Sequence, residues 1–283
     1  PGVGQSTGFD YSRLQNPTKE HLEKIVASLE HGCDALALST GMAAITLLME
    51  LFKPGDHLIV DSDLYGGSIR LFRNVSRKNG ITFSAVDSYQ DDVESFVKEE
   101  TKAIYIETPT NPMMNVTDIG KLSEIAKRHN LLLIVDNTFL SPYFQNPLTL
   151  GADIVVHSGT KFLGGHNDTL AGFLVTNREE ISEQLRFLIK TTGAGLAPFD
   201  SWLILRGIKT LGIRMEQAQK NALEIANWLK TQPAVTKVIY PGLPEHPGYE
   251  IMKKQARGFG SMLTFYVDNK EHAFEILEKV RMI

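Results

Sequence analysis

The chain has 283 residues, with 29 Lys or Arg against 33 Asp or Glu, so its formal net charge is −4. Hydrophobic residues make up 42 % and charged residues 22 %, which is ordinary for a globular protein. This composition excludes a disordered chain and gives none of the basic excess that is typical of nucleic-acid-binding proteins. No apolar run approaches the roughly 20 residues needed to span a membrane.

Two features of the chain bear on its location and completeness. A single cysteine, Cys33, cannot form a disulfide within the chain, so we expect a cytoplasmic protein and a small core position for that side chain. The sequence starts without Met and ends within a helical pattern. We therefore expect it to be part of a longer protein.

Short apolar segments alternate with longer amphipathic ones along the first 210 residues. Strands are predicted at 35–38, 57–60, 82–86, 103–106, 131–135, 154–156 and 173–175. Helices are predicted at 42–52, 68–78, 93–99, 119–128 and 179–189, and a further helix with Thr18 as its N-cap. Because several strands are almost continuously apolar, both their faces should be covered, as in a parallel sheet. The pattern predicts a doubly wound α/β domain.

The pattern changes near residue 210. A long helix is predicted from there to about residue 230, followed by a Pro- and Gly-rich loop at 240–248. A strand at 262–267 and a helix at 271–280 come next. This order favours a second, smaller α+β region.

Three segments that directly follow strands carry polar groups suited to chemistry. Gly41 lies in a turn of small residues before a helix, where backbone N–H groups can approach a phosphate, although a plain helix start is the simpler explanation of this segment alone. Asp136 ends a buried strand and needs either a cationic partner or a turn to cap. Lys161 follows another strand, between Ser158 and a run of glycines, and is either a Schiff-base lysine or a surface lysine.

These groups together match the needs of pyridoxal phosphate (PLP). That cofactor requires a phosphate-binding turn, a carboxylate on its ring nitrogen and a lysine on its aldehyde. Tyr65 also follows a strand and could stack on the ring or pack in the core. Ligands bind at the carboxyl edge of open α/β sheets, so we expect a PLP site there, with the Lys161 amine sheltered beside Asp136. His157, His166 and His246 lack the spacing of metal ligands and are interpreted as structural.

Four segments, 11–18, 107–112, 135–139 and 158–161, resemble the Cys/Met-metabolism PLP enzymes. That family includes cystathionine β-lyase, γ-lyase and γ-synthase and methionine γ-lyase. The resemblance implies a fold type I, aminotransferase-like three-layer domain with a mostly parallel sheet, plus a smaller C-terminal α+β domain that is truncated here. It assigns 1–16 to an arm on a neighbouring subunit, 17–209 to the large PLP-binding domain, and 210–283 to a linking helix and a partial C-terminal domain.

The resemblance also implies roles for individual residues. Lys161 would form the Schiff base, Asp136 would pair with the ring nitrogen, and Tyr65 would stack on the ring. The phosphate would be bound by four residues: Gly41, Met42, Ser158 and Thr160. Asn111 would contact the ring hydroxyl, and Thr138 would lie beneath the ring. Tyr11 and Arg13 would reach the phosphate of a neighbouring subunit, in a homotetramer built from tight dimers with shared sites.

The resemblance implies a lyase of trans-sulfuration and methionine biosynthesis. Tyr11 would accept the proton of the substrate amine, and freed Lys161 would remove the α-proton. Segments 193–203 and 206–210 look most like β-lyases, so β-elimination of cystathionine to homocysteine, pyruvate and ammonia is the leading hypothesis. The alternatives are cystathionine γ-lyase and γ-synthase. Methionine γ-lyase is less favoured, because Gly67 stands where that enzyme usually has cysteine.

Two other classes of protein are weighed against an enzyme of this family. A catalytically inert α/β binding protein is disfavoured because every motif residue is intact. A nicotinamide-binding enzyme is disfavoured because no Gly-x-Gly-x-x-Gly follows the first strand. The family's arginine for the substrate carboxylate, which belongs to its C-terminal part, has no counterpart in this sequence.

Overall fold

The computed structural model describes residues 2–6 and 8–281, so the outermost ends of the predicted arm and of the C-terminal region lie outside the described residues. A seven-stranded sheet forms the centre of the first 210 residues. Its strands are β1 Asp34–Leu38, β2 His57–Asp61, β3 Thr82–Val86, β4 Thr101–Glu107, β5 Leu132–Asp136, β6 Ile154–Ser158 and β7 Gly172–Thr176. Their order across the sheet is β1-β7-β6-β5-β4-β2-β3. Only β7 runs against its neighbours, which confirms the mostly parallel sheet.

The described residues contain ten α-helices, some of which pack on this sheet while others lie in the C-terminal part of the chain. They are α1 Pro17–Glu30, α2 Gly41–Met49, α3 Gly66–Leu71, α4 Ile119–Arg128, α5 Ser141–Phe144, α6 Glu179–Thr192, α7 Pro198–Ile208, α8 Leu211–Leu229, α9 Tyr249–Gln255 and α10 Lys270–Lys279. A π-helical segment, Phe72–Ser76, continues α3.

Alternation along the strands explains why they are apolar throughout. In β4, Ile104 and Ile106 pack into a core that includes α1 and α4 residues, whereas Ala103 and Tyr105 pack into a second core with α2 and α6 residues. Both faces of the sheet are therefore covered by helices. The result is the three-layer arrangement expected from the sequence.

Several local predictions need correction. The N-cap of α1 is Asn16 rather than Thr18, because the Asn16 side chain accepts hydrogen bonds from the N–H groups of Thr18 and Lys19 and Pro17 fits the first helical position. The predicted helix at 93–99 is only a 3-10 turn, Val93–Phe96, since Val97 is extended. The expected core position of Cys33 is wrong: it lies exposed in the turn between α1 and β1.

Part of the last 70 residues forms a small core of its own, whereas Met215 and Met252 pack into the main core. Strand β8, Val235–Ile239, pairs antiparallel with β9, Thr264–Val267. Two alanines of α8, Ala222 and Ala226, pack against the loop that follows β8. In the part of the chain that the structure describes, every helix is too short or too polar to span a bilayer.

Candidate active site

A cavity of about 690 Å³ opens at the carboxyl ends of β2, β4, β5 and β6. It is lined by every residue predicted for the site except Tyr11 and Arg13. Those lining residues are Gly41, Met42, Tyr65, Asn111, Asp136, Thr138, Ser158, Thr160 and Lys161. The fold thus brings together the three separate segments that the sequence singled out.

The turn into α2 forms one wall of the cavity. Thr40 is the N-cap, and its hydroxyl accepts the Ala43 N–H at 2.9 Å, which leaves the N–H groups of Gly41 and Met42 at the open end of the helix. A Cβ added to Gly41 would lie 2.9 Å from the Ser158 Cβ. This close approach places a helix N-terminus beside a serine hydroxyl, which is a favourable arrangement for an anion.

Asp136 ends β5 and is 8 % exposed. One carboxylate oxygen accepts from the Thr138 N–H at 3.0 Å and from the Thr138 hydroxyl at 2.6 Å, so Asp136 also caps the following turn. The Thr138 hydroxyl in turn accepts the Ser158 N–H at 2.9 Å, which ties the ends of β5 and β6 together. Burial raises the pKa of Asp136 above its ordinary value, despite these hydrogen bonds. A cation beside it would favour the ionised form.

Sequence reasoning missed Glu107, which lies next to Asp136 in the register of β4 and β5 and also lines the cavity. Its carboxylate accepts the Tyr65 N–H at 2.9 Å. Burial, and then the charge of Asp136, raises the pKa of Glu107 well above its ordinary value. A carboxyl group at the end of an apolar strand, the signal that identified Asp136, would also have found Glu107.

The Tyr65 ring is 48 % exposed at the cavity, so the alternative of core packing is wrong. A Cβ added to Gly67 would lie 2.4 Å from Tyr65 Cε1 and 2.9 Å from the Met42 sulfur. The Tyr65 ring therefore occupies space that a side chain at position 67 would fill.

Lys161 lies in the turn after β6, where its N–H donates to the Ser158 carbonyl at 3.2 Å. The side chain lines the cavity but is exposed to solvent. The expectation of a sheltered amine is wrong for the single chain, because the cavity is open to solvent there.

Sequence reasoning also missed Arg214 of α8, which lines the cavity. Its guanidinium donates to the carbonyls of Phe162 at 2.8 Å and Gly207 at 2.9 Å. These bonds hold the turn that carries Lys161 against α7. Arg214 follows the predicted boundary near residue 210, and only the tertiary structure shows that α8 returns to the site.

Tyr11 and Arg13 lie outside the cavity of their own chain. Both side chains are exposed, and the Arg13 guanidinium lies 5.2 Å from the centre of the Tyr11 ring. Arg13 also donates a hydrogen bond to the Lys190 carbonyl. The single chain therefore does not bring this pair to the other predicted site residues.

The cavity fits pyridoxal phosphate chemically. Its amine, carboxylate, aromatic ring and hydroxyl groups are the chemical groups that this cofactor needs around it. The cradle between Gly41 and Ser158, which a Cβ would fill, can admit phosphate oxygens. The cavity therefore contains the amine, the carboxylate and the phosphate-binding turn that the sequence predicted.

Comparison with known proteins agrees with this chemistry. The sequence profile of the Cys/Met metabolism PLP-dependent enzymes matches residues 2–283. Cystathionine γ-lyase of Bacillus subtilis is 50 % identical over the whole chain, which spans 75 % of that relative, and cystathionine β-lyase of Lactococcus lactis subsp. cremoris is 49 % identical over 99 % of the chain and 74 % of its own length.

A solved structure gives the same result. The crystal structure of cystathionine γ-lyase from Lactobacillus plantarum complexed with L-serine matches with a TM-score of 0.92 at 46 % identity, covering 94 % of this chain and 70 % of that one. These likenesses extend over nearly the whole chain and agree in sequence and in fold. The protein belongs to the Cys/Met metabolism family of PLP-dependent enzymes.

Proposed function

We propose that this protein cleaves the carbon–sulfur bond of cystathionine by β-elimination, releasing homocysteine, pyruvate and ammonia. The observation that carries the proposal is the convergence of Lys161, Asp136 and the Gly41–Ser158 cradle on one cavity. The choice of β-elimination is supported by segments 193–203 and 206–210 and by the 49 % identity to a cystathionine β-lyase.

γ-Elimination to cysteine, 2-oxobutyrate and ammonia is the second candidate. The 50 % identity to a protein named cystathionine γ-lyase favours it. Both reactions start with removal of the α-proton, so the residues described below serve either one. They differ in which carbon–sulfur bond breaks.

The cavity residues are assigned by their chemistry. Lys161 would hold the cofactor covalently through Nζ, and the Asp136 carboxylate would keep a proton on the ring nitrogen. When bound, PLP supplies an electron sink for the carbon that loses its proton. The Tyr65 ring would cover one face of the cofactor, in the position that Gly67 leaves free.

The cradle residues would bind the phosphate. The N–H groups of Gly41 and Met42 and the hydroxyls of Ser158 and Thr160 are the donors. The Asn111 amide would contact the ring hydroxyl, and Thr138 would lie beneath the ring, where its hydroxyl already orients Asp136.

Proton movement needs two groups. Lys161 Nζ, once free, would take the α-proton of the substrate and then deliver a proton to the departing sulfur. The Tyr11 side chain would accept the proton of the substrate amine; because Tyr11 lies outside the cavity of its own chain, we assign this role to the Tyr11 of a second copy.

We infer a homotetramer with active sites shared between subunits, in which residues 1–16 are the arm that reaches the neighbour. The exposure of Tyr11 and Arg13 supports this arrangement. The small core around Ala222 and Tyr240 supports the division into residues 17–209 and 210–283, with Met215 and Met252 packing the second part against the first. With one cysteine in the chain, we place the enzyme in the cytoplasm. The proposed release of homocysteine is our reason for placing it in methionine biosynthesis.

Product analysis tests the reaction. The protein is incubated with PLP and cystathionine, and 2-oxo acids and thiols are identified. Pyruvate with homocysteine supports β-elimination, whereas 2-oxobutyrate with cysteine establishes the second candidate. Activity only on an acylated homoserine plus cysteine would contradict both and indicate a synthase. The Lys161→Ala variant is the control and should lose turnover and the visible absorbance band of the bound cofactor.

Subunit mixing tests the shared site. Lys161→Ala and Arg13→Ala chains should each be nearly inactive. Unfolded together and refolded as a mixture, they should regain activity, because some sites then combine an intact Lys161 with an intact Arg13. Failure of the mixture to exceed either variant, with oligomers formed normally, would show that Arg13 serves its own chain.

A further inference from the structure

A buried carboxylate lies on the face of the sheet opposite to the cavity. Glu30, the last residue of α1, has no exposed surface. One of its oxygens lies 2.6 Å from His157 Nε2 and accepts from Asn137 Nδ2 at 2.8 Å. The other accepts from Asn146 Nδ2 at 3.4 Å. The Glu30 carboxylate is thus fully surrounded by hydrogen-bonding groups.

The partners of Glu30 are the direct neighbours of cofactor-site residues. Asn137 follows Asp136 at the end of β5, and His157 precedes Ser158 at the end of β6. Because successive side chains of a strand point to opposite faces, His157 points away from the cavity that Val156 and Ser158 line. Glu30 therefore contacts residues at both strand ends on the face of the sheet opposite to the cavity.

The same strand ends also form hydrogen bonds that do not involve Glu30. The Asn137 N–H donates to the Val156 carbonyl at 3.0 Å. The Asn137 amide is itself held, since its oxygen accepts from Gln145 Nε2 at 3.0 Å and its nitrogen donates to the Gln145 carbonyl at 2.8 Å. Asn137 thus has little freedom, and Glu30 links this fixed point to His157.

We propose that Glu30 is a positioning residue, which sets the separation of the two strand ends that present Asp136 and Ser158 to the cofactor. The proposal rests on the proposed function of the cavity. Displacements of about 1 Å in a site can cost two orders of magnitude in its performance, so a rigid tie between ring-binding and phosphate-binding groups has a functional consequence. The buried contact of 2.6 Å between Glu30 and His157 is a tie of this kind.

The chain offers a matched control on the same helix. Glu23 lies two turns earlier in α1, is 3 % exposed, and is also hydrogen-bonded, since its carboxylate accepts from Arg186 Nη1 at 2.8 Å and from the Ala37 N–H at 2.9 Å. These partners belong to β1 and α6, so Glu23 contacts neither of the strand ends that carry Asp136 and Ser158. Glu30→Gln and Glu23→Gln therefore make the same exchange of a buried carboxyl group for an amide.

The experiment measures two quantities for the wild-type protein and both variants. One is the unfolding temperature of the cofactor-free protein; the other is the Kd for PLP, from titration followed by visible absorbance well below that temperature. Both substitutions should lower the unfolding temperature. Only Glu30→Gln should weaken PLP binding and shift the absorbance maximum; a loss of about tenfold is expected by analogy with the loss of an outer hydrogen-bond partner at a metal site.

Glu30→Gln with a wild-type Kd and a lowered unfolding temperature would overturn the proposal and leave Glu30 a structural residue like Glu23. If Glu30→Gln does not fold, His157→Leu decides, since it removes the contact of His157 with Glu30 while Asn137 and Asn146 still donate to the carboxylate; an unchanged Kd there also overturns the proposal, and a weakened one supports it. A wild-type protein that binds no PLP would instead refute the proposed function of the cavity.

Discussion

Replacement of Gly41 by alanine should damage the phosphate-binding cradle specifically. The new Cβ would lie 2.9 Å from Ser158 Cβ and 3.1 Å from both Ser158 Cα and its hydroxyl oxygen. Ordinary carbon–carbon contacts are about 3.5–4.0 Å, so the start of α2 and the end of β6 must separate by about 0.5–1 Å. The backbone itself is in contact, and a side-chain rotation alone cannot relieve the clash.

The cost of this separation can be estimated for stability and for binding. Overpacking of this kind costs about 1–3 kcal/mol, which for a chain of this size lowers Tm by roughly 2–4 °C per kcal/mol. Loss of a hydrogen bond from the Gly41 N–H to a charged phosphate would cost a further ~1.5–3 kcal/mol of binding free energy. The Kd for PLP should therefore rise by about ten- to a hundredfold.

The assay is titration of the cofactor-free protein with PLP, with calorimetric Tm measured in parallel. Gly66→Ala is the matched control, because Gly66 is also the first residue of a helix and a Cβ there meets nothing within 4 Å. The control should change neither quantity by much. A Gly41→Ala protein that binds PLP as tightly as the wild type would refute the assignment of the cradle.

Two further predictions concern stability. Burial raises the pKa of Asp61 to about 6, above its value in the unfolded chain. As the pH rises from about 4 to 6, the unfolded chain therefore releases this proton before the folded chain does. The free energy of unfolding falls by up to about 3 kcal/mol over this range. Asp61→Asn should thus gain stability over the wild type in urea unfolding at pH 7.5 but not at pH 4, and an equal difference at both would contradict the reasoning. Arg186 bridges Glu23 at 2.8 Å and Asp34 at 2.6 Å, and it is 36 % exposed. Arg186→Leu leaves Glu23, whose side chain is 4 % exposed, without its cation and should cost about 3 kcal/mol. Arg178→Leu removes the cation of Asp153 and Glu180, whose side chains are 21 % and 59 % exposed, and should cost about 1 kcal/mol or less in the same assay; equal losses would argue against a special role for burial.

The central sheet was predictable because its strands are short apolar runs bounded by turns. All seven predicted strands are present, with ends shifted by at most two residues, and the helix at 119–128 has the predicted bounds. Helix α7 was not predicted. Its apolar residues surround the helix, with Phe199 and Trp202 left exposed, so it lacks an amphipathic period, although Pro198 at its first position is typical of a helix start.

The candidate site was predictable only where each residue carries its own local signal. Gly41, Asp136 and Lys161 each follow a strand, and the rule that ligands bind at the carboxyl edge of such a sheet brings them together. Arg214 has no such signal, because it lies within a long polar helix that returns to the cavity only in the folded chain.

Glu107 shows a different limit. Its segment was recognised as part of a family motif, yet the adjacency of its carboxyl group to Asp136 depends on β4 lying beside β5 with these two residues in register. A sequence gives strand ends but not the order of strands across the sheet. Burial raises the pKa of both carboxyl groups, and the charge of Asp136 raises the pKa of Glu107 further, so the ionisation of one opposes that of the other. The register of two strands thus places a second acid beside the carboxyl group that is assigned to the ring nitrogen.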